Sequence, residues 1–199
     1  VIRYTIDNKD PTDTSPVYSG PISITKSTWV RARTFQPGRQ PSAIVSQLYT
    51  KLDPGLKDFK SNLPVFVLTS FSGAVGEGAY ANAYAQLFEP GSDSLTTLFG
   101  TPDEAFRAGM KVRGSSSTQF PKKQWSFETH TETNDNLNLP LVGMPSEHDW
   151  VLSAPYTDKT LLRDRFTYET SNNMGQYAPH TRLVELFLDT NGTQLQGLT

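Results

Sequence analysis

The stretch Gly109-Met110-Lys111-Val112-Arg113-Gly114-Ser115-Ser116-Ser117-Thr118-Gln119-Phe120-Pro121-Lys122-Lys123-Gln124-Trp125-Ser126-Phe127-Glu128-Thr129 sets the reading of the chain. Gly109 to Arg113 alternates in polarity. Lys123 to Thr129 alternates again, with Trp125 and Phe127 on one face. Period-two alternation is the pattern of a half-buried strand. Small residues separate the two segments, so the sequence predicts a hairpin with a basic loop at its tip. Gly114 and Ser115 to Ser117 leave backbone N–H groups open, and Arg113, Lys122 and Lys123 bring fixed positive charge to them. That combination suits a phosphate-bearing ligand. A polar surface loop with solvated charges has the same composition, and a Gly-rich loop alone does not separate the two readings.

Downstream of the hairpin, Thr157-Asp158 is a helix start signal. Asp158 can accept from orphan N–H groups, and Lys159 to Met174 carries helical spacing through Leu162 and Phe166. Gly175 suits the position just past the helix end. Thr181 to Asp189 reads as a core strand, Asn191-Gly192 as a turn, and a partner strand is expected near Gln194. Upstream, Leu63 to Thr69 is a short apolar run, as in a buried strand. Ser72 to Asn82 reads as a loop and Tyr84 to Glu89 as a strand. Lys51-Leu52-Asp53-Pro54-Gly55 opens a linker.

The first fifty residues read as all-β. Candidate strands are Val1 to Ile6, Ile22 to Ile24, Thr28 to Phe35 and Ser42 to Thr50, with Pro and Gly turns between them. Such a pattern predicts a small sandwich. The opening strand has no lead-in and the chain stops at Thr199, where a partner strand has only begun, so both ends are expected to be cut. No signal peptide is expected within the 199 residues.

Hydrophobic residues make up 36% of the chain and the mean hydropathy is -0.47, which fits a polar globular protein. No apolar run is long enough to span a bilayer as a helix. The net charge of -2, from 18 basic and 20 acidic residues, argues against a chain-wide nucleic-acid footprint but leaves room for a local basic patch. With no cysteine, disulfide scaffolds, thiolate zinc sites and thiol nucleophiles are excluded. His130, His148 and His180 lack metal-ligand spacing, so a His-based metal site is not expected. Ser115, Ser116 and Ser117 have no His/Asp pattern around them, which argues against a hydrolase triad.

Several polar residues carry structural readings beside functional ones. Asp149-Trp150 reads as a core anchor ahead of Val151-Leu152. Asp158 reads as a helix cap. Arg163 suits a surface ion pair or a phosphate contact. Glu185, in an apolar strand, is expected to pair with Arg182 or Arg163. Trp29 and Tyr18 suit sugar stacking on the one hand, core packing or an interdomain contact on the other.

Residues 109–197 resemble the CotH family of atypical, kinase-like proteins first associated with bacterial spore coats. Arg113-Gly114-Ser115-Ser116-Ser117 stands where that family usually has Arg-Gly-Asn-Ser-Ser. Phe120-Pro121-Lys122-Lys123, Glu128, Val142-Gly143-Met144-Pro145, Asp149-Trp150-Val151-Leu152 and Ala154-Pro155-Tyr156 follow in order. Asp158-Lys159 and Leu162-Arg163 come next, with Asp164 where the family prefers Asn. Met174-Gly175, Ala178-Pro179, Val184-Glu185-Leu186-Phe187 and Gln196-Gly197 complete the pattern. Residues 1–50 separately resemble the β-sandwich appended to chitobiases and other secreted glycosidases. Here the matching blocks are Ile2-Arg3-Tyr4-Thr5-Ile6-Asp7, Asp10-Pro11-Thr12, Ser15-Pro16-Val17-Tyr18, Gly20-Pro21-Ile22, Val30-Arg31-Ala32-Arg33, Pro37-Gly38 and Pro41-Ser42.

The resemblance implies an α+β fold. It would comprise a partial, Ig-like β-sandwich at 1–50, a linker at 51–60, and the N-terminal part of a kinase-like domain at 61–199. It implies ATP-dependent phosphorylation of protein Ser/Thr hydroxyls with Mg or another divalent metal, at the surface of or outside a bacterial cell. Phosphate contacts are then expected from Arg113, Ser115, Ser116, Lys122 and Lys123, with Glu128 and Arg163 in support. Strand parity favours Lys122 over Lys123 as the same-face partner of Glu128. The family's acceptor-orienting and metal-binding acids fall downstream of the Gln196-Gly197 position. The catalytic residues are therefore expected beyond Thr199, no metal ligand is assigned within the chain, and the chain alone is not expected to turn over. The competing expectation is a non-catalytic surface or envelope protein, with a degenerate kinase-like scaffold and a first module that binds a chitin-like or cell-wall glycan.

Overall fold

Two sheets carry the fold of the computed structural model, which describes residues 1–190. Strands β1 (Ile2–Thr5), β2 (Thr28–Thr34) and β3 (Val45–Tyr49) form an antiparallel sheet in that order. Alternation along β2 splits its side chains between two faces. Trp29 and Arg31 are buried beneath the sheet. Val30 and Ala32 line an outward groove of about 390 Å³ with Ile2, Tyr4, Tyr18, Ile22, Ile24 and Tyr49. Ile22 to Ile24, expected as a strand, joins no ladder; Pro21 precedes it, and its alternate isoleucines only floor the groove. The turn at Gln36–Arg39 closes as expected, with Arg39 N–H on Gln36 O at 3.1 Å and Gly38 at φ +72.

The second sheet has six strands: β4 (Val65–Ser70), β5 (Ala81–Phe88), β6 (Glu104–Arg113), β7 (Gln124–His130), β8 (Asp149–Leu152) and β9 (Glu185–Asp189). Their order is β8-β7-β6-β5-β4-β9. All neighbours are antiparallel except β4 and β9, which run parallel. Every residue of β4 is buried, because it lies inside the sheet with both faces covered. One face packs Phe66, Leu68, Ala83, Ala85, Phe106, Met110 and Phe127 into the main core. On the other, Val65, Val67, Phe88 and Phe187 are roofed by Leu56 and Phe59. Those two come from the stretch expected as a plain linker. Asp53 there accepts from Gly55 N–H at 2.8 Å and starts a short 3-10 turn, Pro54–Leu56. Phe59 then meets Phe187 edge-on at 5.1 Å.

Helix α1 (Arg163–Asn173) starts later than the spacing predicts. Its N-cap position is Leu162 and not Asp158, although the Asp158 carboxylate still accepts from the Arg163 N–H at 3.0 Å across an intervening turn. Gly175 follows at φ +77, as expected of a residue closing a helix. No α1 residue is buried, so Phe166 lies exposed. The turn expected at Asn191-Gly192, the strand near Gln194 and the Gln196-Gly197 match lie outside the described residues. So does Thr199, past which the catalytic acids are expected.

Candidate functional site

Strands β6 and β7 do form the predicted hairpin. Arg113 and Gln124 are the last paired residues before the loop, and Arg107 with His130 closes the opposite end. The loop is ordered from within. Ser116–Gln119 makes a 3-10 turn, with Thr118 Oγ1 donating to Ser115 O at 2.8 Å. Lys123 turns back on the loop and donates Nζ to Thr118 O at 2.6 Å and Phe120 O at 3.4 Å. Gly114 holds φ +128, and a Cβ there would lie 2.1 Å from Ser117 Oγ. Arg113, Gly114, Ser115, Ser116 and Lys122 are exposed around this turn. Among the described residues, neither Arg113 nor Lys122 has an ion-pair partner.

The expected roles thus divide. Arg113, Ser115, Ser116 and Lys122 present charge or hydroxyls outward, whereas Lys123 is engaged with the loop's own carbonyls. Glu128 does not pair with Lys122, because Lys122 lies before β7 begins and face alternation does not reach it. Its Oε2 lies 3.3 Å from His130 Nε2 instead. Burial, and after it the charge and hydrogen bond of Glu128, raise the Tyr80 phenol above its ordinary 10.0. The lysine on the Glu128 face is Lys111, whose ammonium lies 4.3 Å from the centre of the Tyr80 ring.

A second segment meets the loop. Phe120 stacks on Tyr156 at 5.3 Å, and Lys159 lies over the Tyr156 ring at 5.5 Å. This brings Lys159 toward the basic loop, a residue whose charge the sequence reading passed over. Its signal was present in the neighbouring Ala154-Pro155-Tyr156 and Asp158-Lys159 blocks. Arg163 is exposed and bonds Asp158 at 3.4 Å, so it takes the ion-pair reading. The Arg163 N–H, then Thr160, hold the Asp158 carboxyl below its ordinary 3.8. Glu185 pairs with neither Arg182 nor Arg163. The parallel register sets it beside the start of β4, where Ser61 Oγ donates to it at 3.3 Å.

Trp150 anchors β8 by stacking on Phe127 at 6.3 Å, in keeping with the structural reading of Asp149-Trp150. Trp29, with 1% of its surface exposed, takes the packing reading, against Phe71 and Tyr84 on the side of the second sheet. Tyr18 is half-exposed and meets Tyr4 edge-on at 6.4 Å. Among the described residues, no group of three or more His, Cys, Asp or Glu side chains is placed to hold a metal ion. Nor does any described helix have the length and apolar content to cross a membrane.

Comparison with known families agrees with these two parts. Residues 110–198 match the family model described as CotH kinase protein. Residues 1–46 match the model described as chitobiase/beta-hexosaminidase C-terminal domain. Residues 110–198 are thus similar to the CotH family and residues 1–46 to the chitobiase-type module. No curated protein and no solved structure matches it.

Proposed function

We propose that the Arg113–Lys123 loop holds the phosphates of ATP, and that the intact protein phosphorylates Ser/Thr hydroxyls of a protein substrate with a divalent metal. The observation that carries this is the pairing of two exposed cations, without an ion-pair partner among the described residues, with an internally ordered Gly/Ser turn inside the region that matches the CotH kinase model. ATP supplies the transferable phosphoryl group. The donor set fits the phosphate part of that ligand: two cations, two serine hydroxyls and open backbone N–H groups, with no acid in an ion pair at the tip. Lys123 would act by keeping the loop in shape. No described residue is assigned the metal or the proton of the acceptor hydroxyl; in this reading the acids for both come from sequence beyond Thr199.

Secretion or display on a bacterial surface belongs to the same reading, as does division into modules at 1–50 and 61–199 joined by 51–60. Glycan binding by the first module would have to use the outward face of Tyr4, Tyr18 and Tyr49, since Trp29 is buried. Binding of a fluorescent ATP analogue to the full chain tests the main proposal. Each of Arg113→Ala and Lys122→Ala is expected to weaken it about tenfold, the worth of one charge-assisted hydrogen bond. Undiminished binding in both variants overturns it. Absence of any ATP binding, together with retention on chitin or peptidoglycan, favours the non-catalytic surface protein.

A further inference from the structure

The two sheets meet through a cluster that neither the phosphate loop nor the family matches account for. Trp29 stands at its centre. It stacks on Phe71 at 6.1 Å and tilts against Tyr84 at 5.5 Å, both from the second sheet's side. Two guanidinium groups flank its ring, Arg31 from β2 at 5.1 Å and Arg107 from β6 at 5.0 Å. The Arg31 side chain is 2% exposed. Two like charges so near one buried ring repel each other unless acids offset them. Burial first, and then Arg31, press Arg107 below the ordinary arginine range. Asp10 provides one acid, in contact with Arg31 Nη1.

Glu132, just past the end of β7, provides the other. Its Oε2 lies 3.4 Å from Arg31 Nη2 and accepts from Ser46 Oγ at 2.6 Å. Its backbone carbonyl accepts from Arg107 Nη1 and, at 3.4 Å, from Arg31 Nη2. One residue thus bonds to β2, β3 and β6 together. Neighbouring bonds run the same way: Thr50 Oγ1 to Gln86 Oε1 at 2.6 Å, and Gln86 Nε2 to Leu48 O at 3.4 Å.

We infer that Glu132 and Trp29 lock the first sheet onto the second, so that the chitobiase-type module unfolds with the CotH region as one cooperative unit. The lock lies at the base of the β6–β7 hairpin, at the end opposite the basic loop. An appended module that only shared a tether would melt by itself; this one contributes Trp29, Arg31 and Leu48 to a joint core.

Hydrogen exchange followed by mass spectrometry across a urea series reads both sheets separately in the full chain. Amides of β2 and β3 are expected to open at the same midpoint as those of β4 and β6. Glu132→Ala, which keeps the backbone carbonyl but removes the carboxylate from Arg31 and Ser46 and leaves Asp10 as the one acid bonded to Arg31, is expected to open β2 and β3 first, with exchange about tenfold faster in the absence of urea. Ser46→Ala, which removes a single bond to the carboxylate, should give a smaller split in the same direction and serves if the first variant does not fold. Separate midpoints in the unaltered chain overturn the inference. So do β2 and β3 amides that exchange at unchanged rates in the variants.

Discussion

Replacing Tyr84 by Phe probes the joint core through a single proton. Tyr84 is 3% exposed, packs against Trp29, and points its hydroxyl at Ser46 O from 3.5 Å. Burial, and then the negative charge of Glu132, push its phenol from 10.0 up to about 12. The unfolded chain therefore releases this proton near the ordinary value, while the folded chain keeps it. In that window the unfolded state binds fewer protons, so stability falls as pH rises. The contribution is whole below pH 10.0 and is lost as pH climbs through about 12. Two pH units correspond to about 3 kcal/mol. The Y84F variant has no phenol to ionise and gives up only a long hydrogen bond, worth about 1 kcal/mol or less. Urea denaturation followed by tryptophan fluorescence, between about pH 8 and about pH 11.5, should show the two stability curves cross. Below the crossing the unaltered chain is equal or better; above it Y84F is the more stable. Groups common to both proteins cancel in the difference. Parallel curves over the whole range would refute the burial of an uncharged Tyr84 between the sheets.

Two further predictions concern the loop and the helix beside it. Gly114→Ala should cost about 1–3 kcal/mol in a urea melt and reduce ATP-analogue binding, because an L side chain is strained at that backbone angle. Ser117 can rotate away from the new Cβ, so adding Ser117→Ala should not restore either property; full rescue would show that the clash, not the backbone, was limiting. Asp158→Ala should lower the helical circular-dichroism signal at neutral pH. In the unaltered chain the same loss should appear only on acidification. The Asp158 carboxyl titrates below 3.8 when folded, so its contribution is present above that value and disappears as pH falls through the lower one.

Much of the fold was legible because period and burial agree. Gln124 to His130 alternates strictly, and its buried residues are Trp125, Phe127 and Thr129. Leu63 to Leu68 is apolar, and β4 is buried throughout. The first half of β6 was not legible. Glu104-Ala105-Phe106-Arg107-Ala108 is rich in helix formers, and its inward positions include Ala108, which gives alternation little contrast. Phe106 is buried there by its pairing with β5, a contact that no local pattern announces. The stretch from Leu52 to Phe59 looked like a linker because of Asp53-Pro54-Gly55, yet Leu56 and Phe59 roof a core cluster. The long-range partner Phe187 was hidden from any local pattern. At the site, parity arguments failed at Lys122 for a similar reason. They hold within a strand, and β7 starts at Gln124.

The hairpin carries an arginine near each end, and the contrast between them bears on function. Arg107, at the base, is buried, and its charge is answered by Glu132 and Asp10. Arg113, at the tip, is exposed with no ion pair among the described residues. A solvated surface arginine costs little and by itself signals nothing. What distinguishes the tip is its order. Fixing each backbone residue costs about 1–2 kcal/mol, so solvated loops ordinarily stay loose. Here Lys123 is drawn off solvent onto two loop carbonyls, Thr118 bonds Ser115, and Phe120 stacks on Tyr156. None of these contacts uses Arg113 or Lys122. The loop is held in shape by one set of groups while another set, of one charge sign, is left facing outward. Preorganised cations around open N–H groups bind an anion without a further ordering cost. That economy supports the phosphate reading over the solvated-loop reading, and it makes Lys123→Ala the informative control. Loosening the loop should weaken ATP-analogue binding although Lys123 itself faces the loop carbonyls. Unchanged binding would mean that loop order has no part in it.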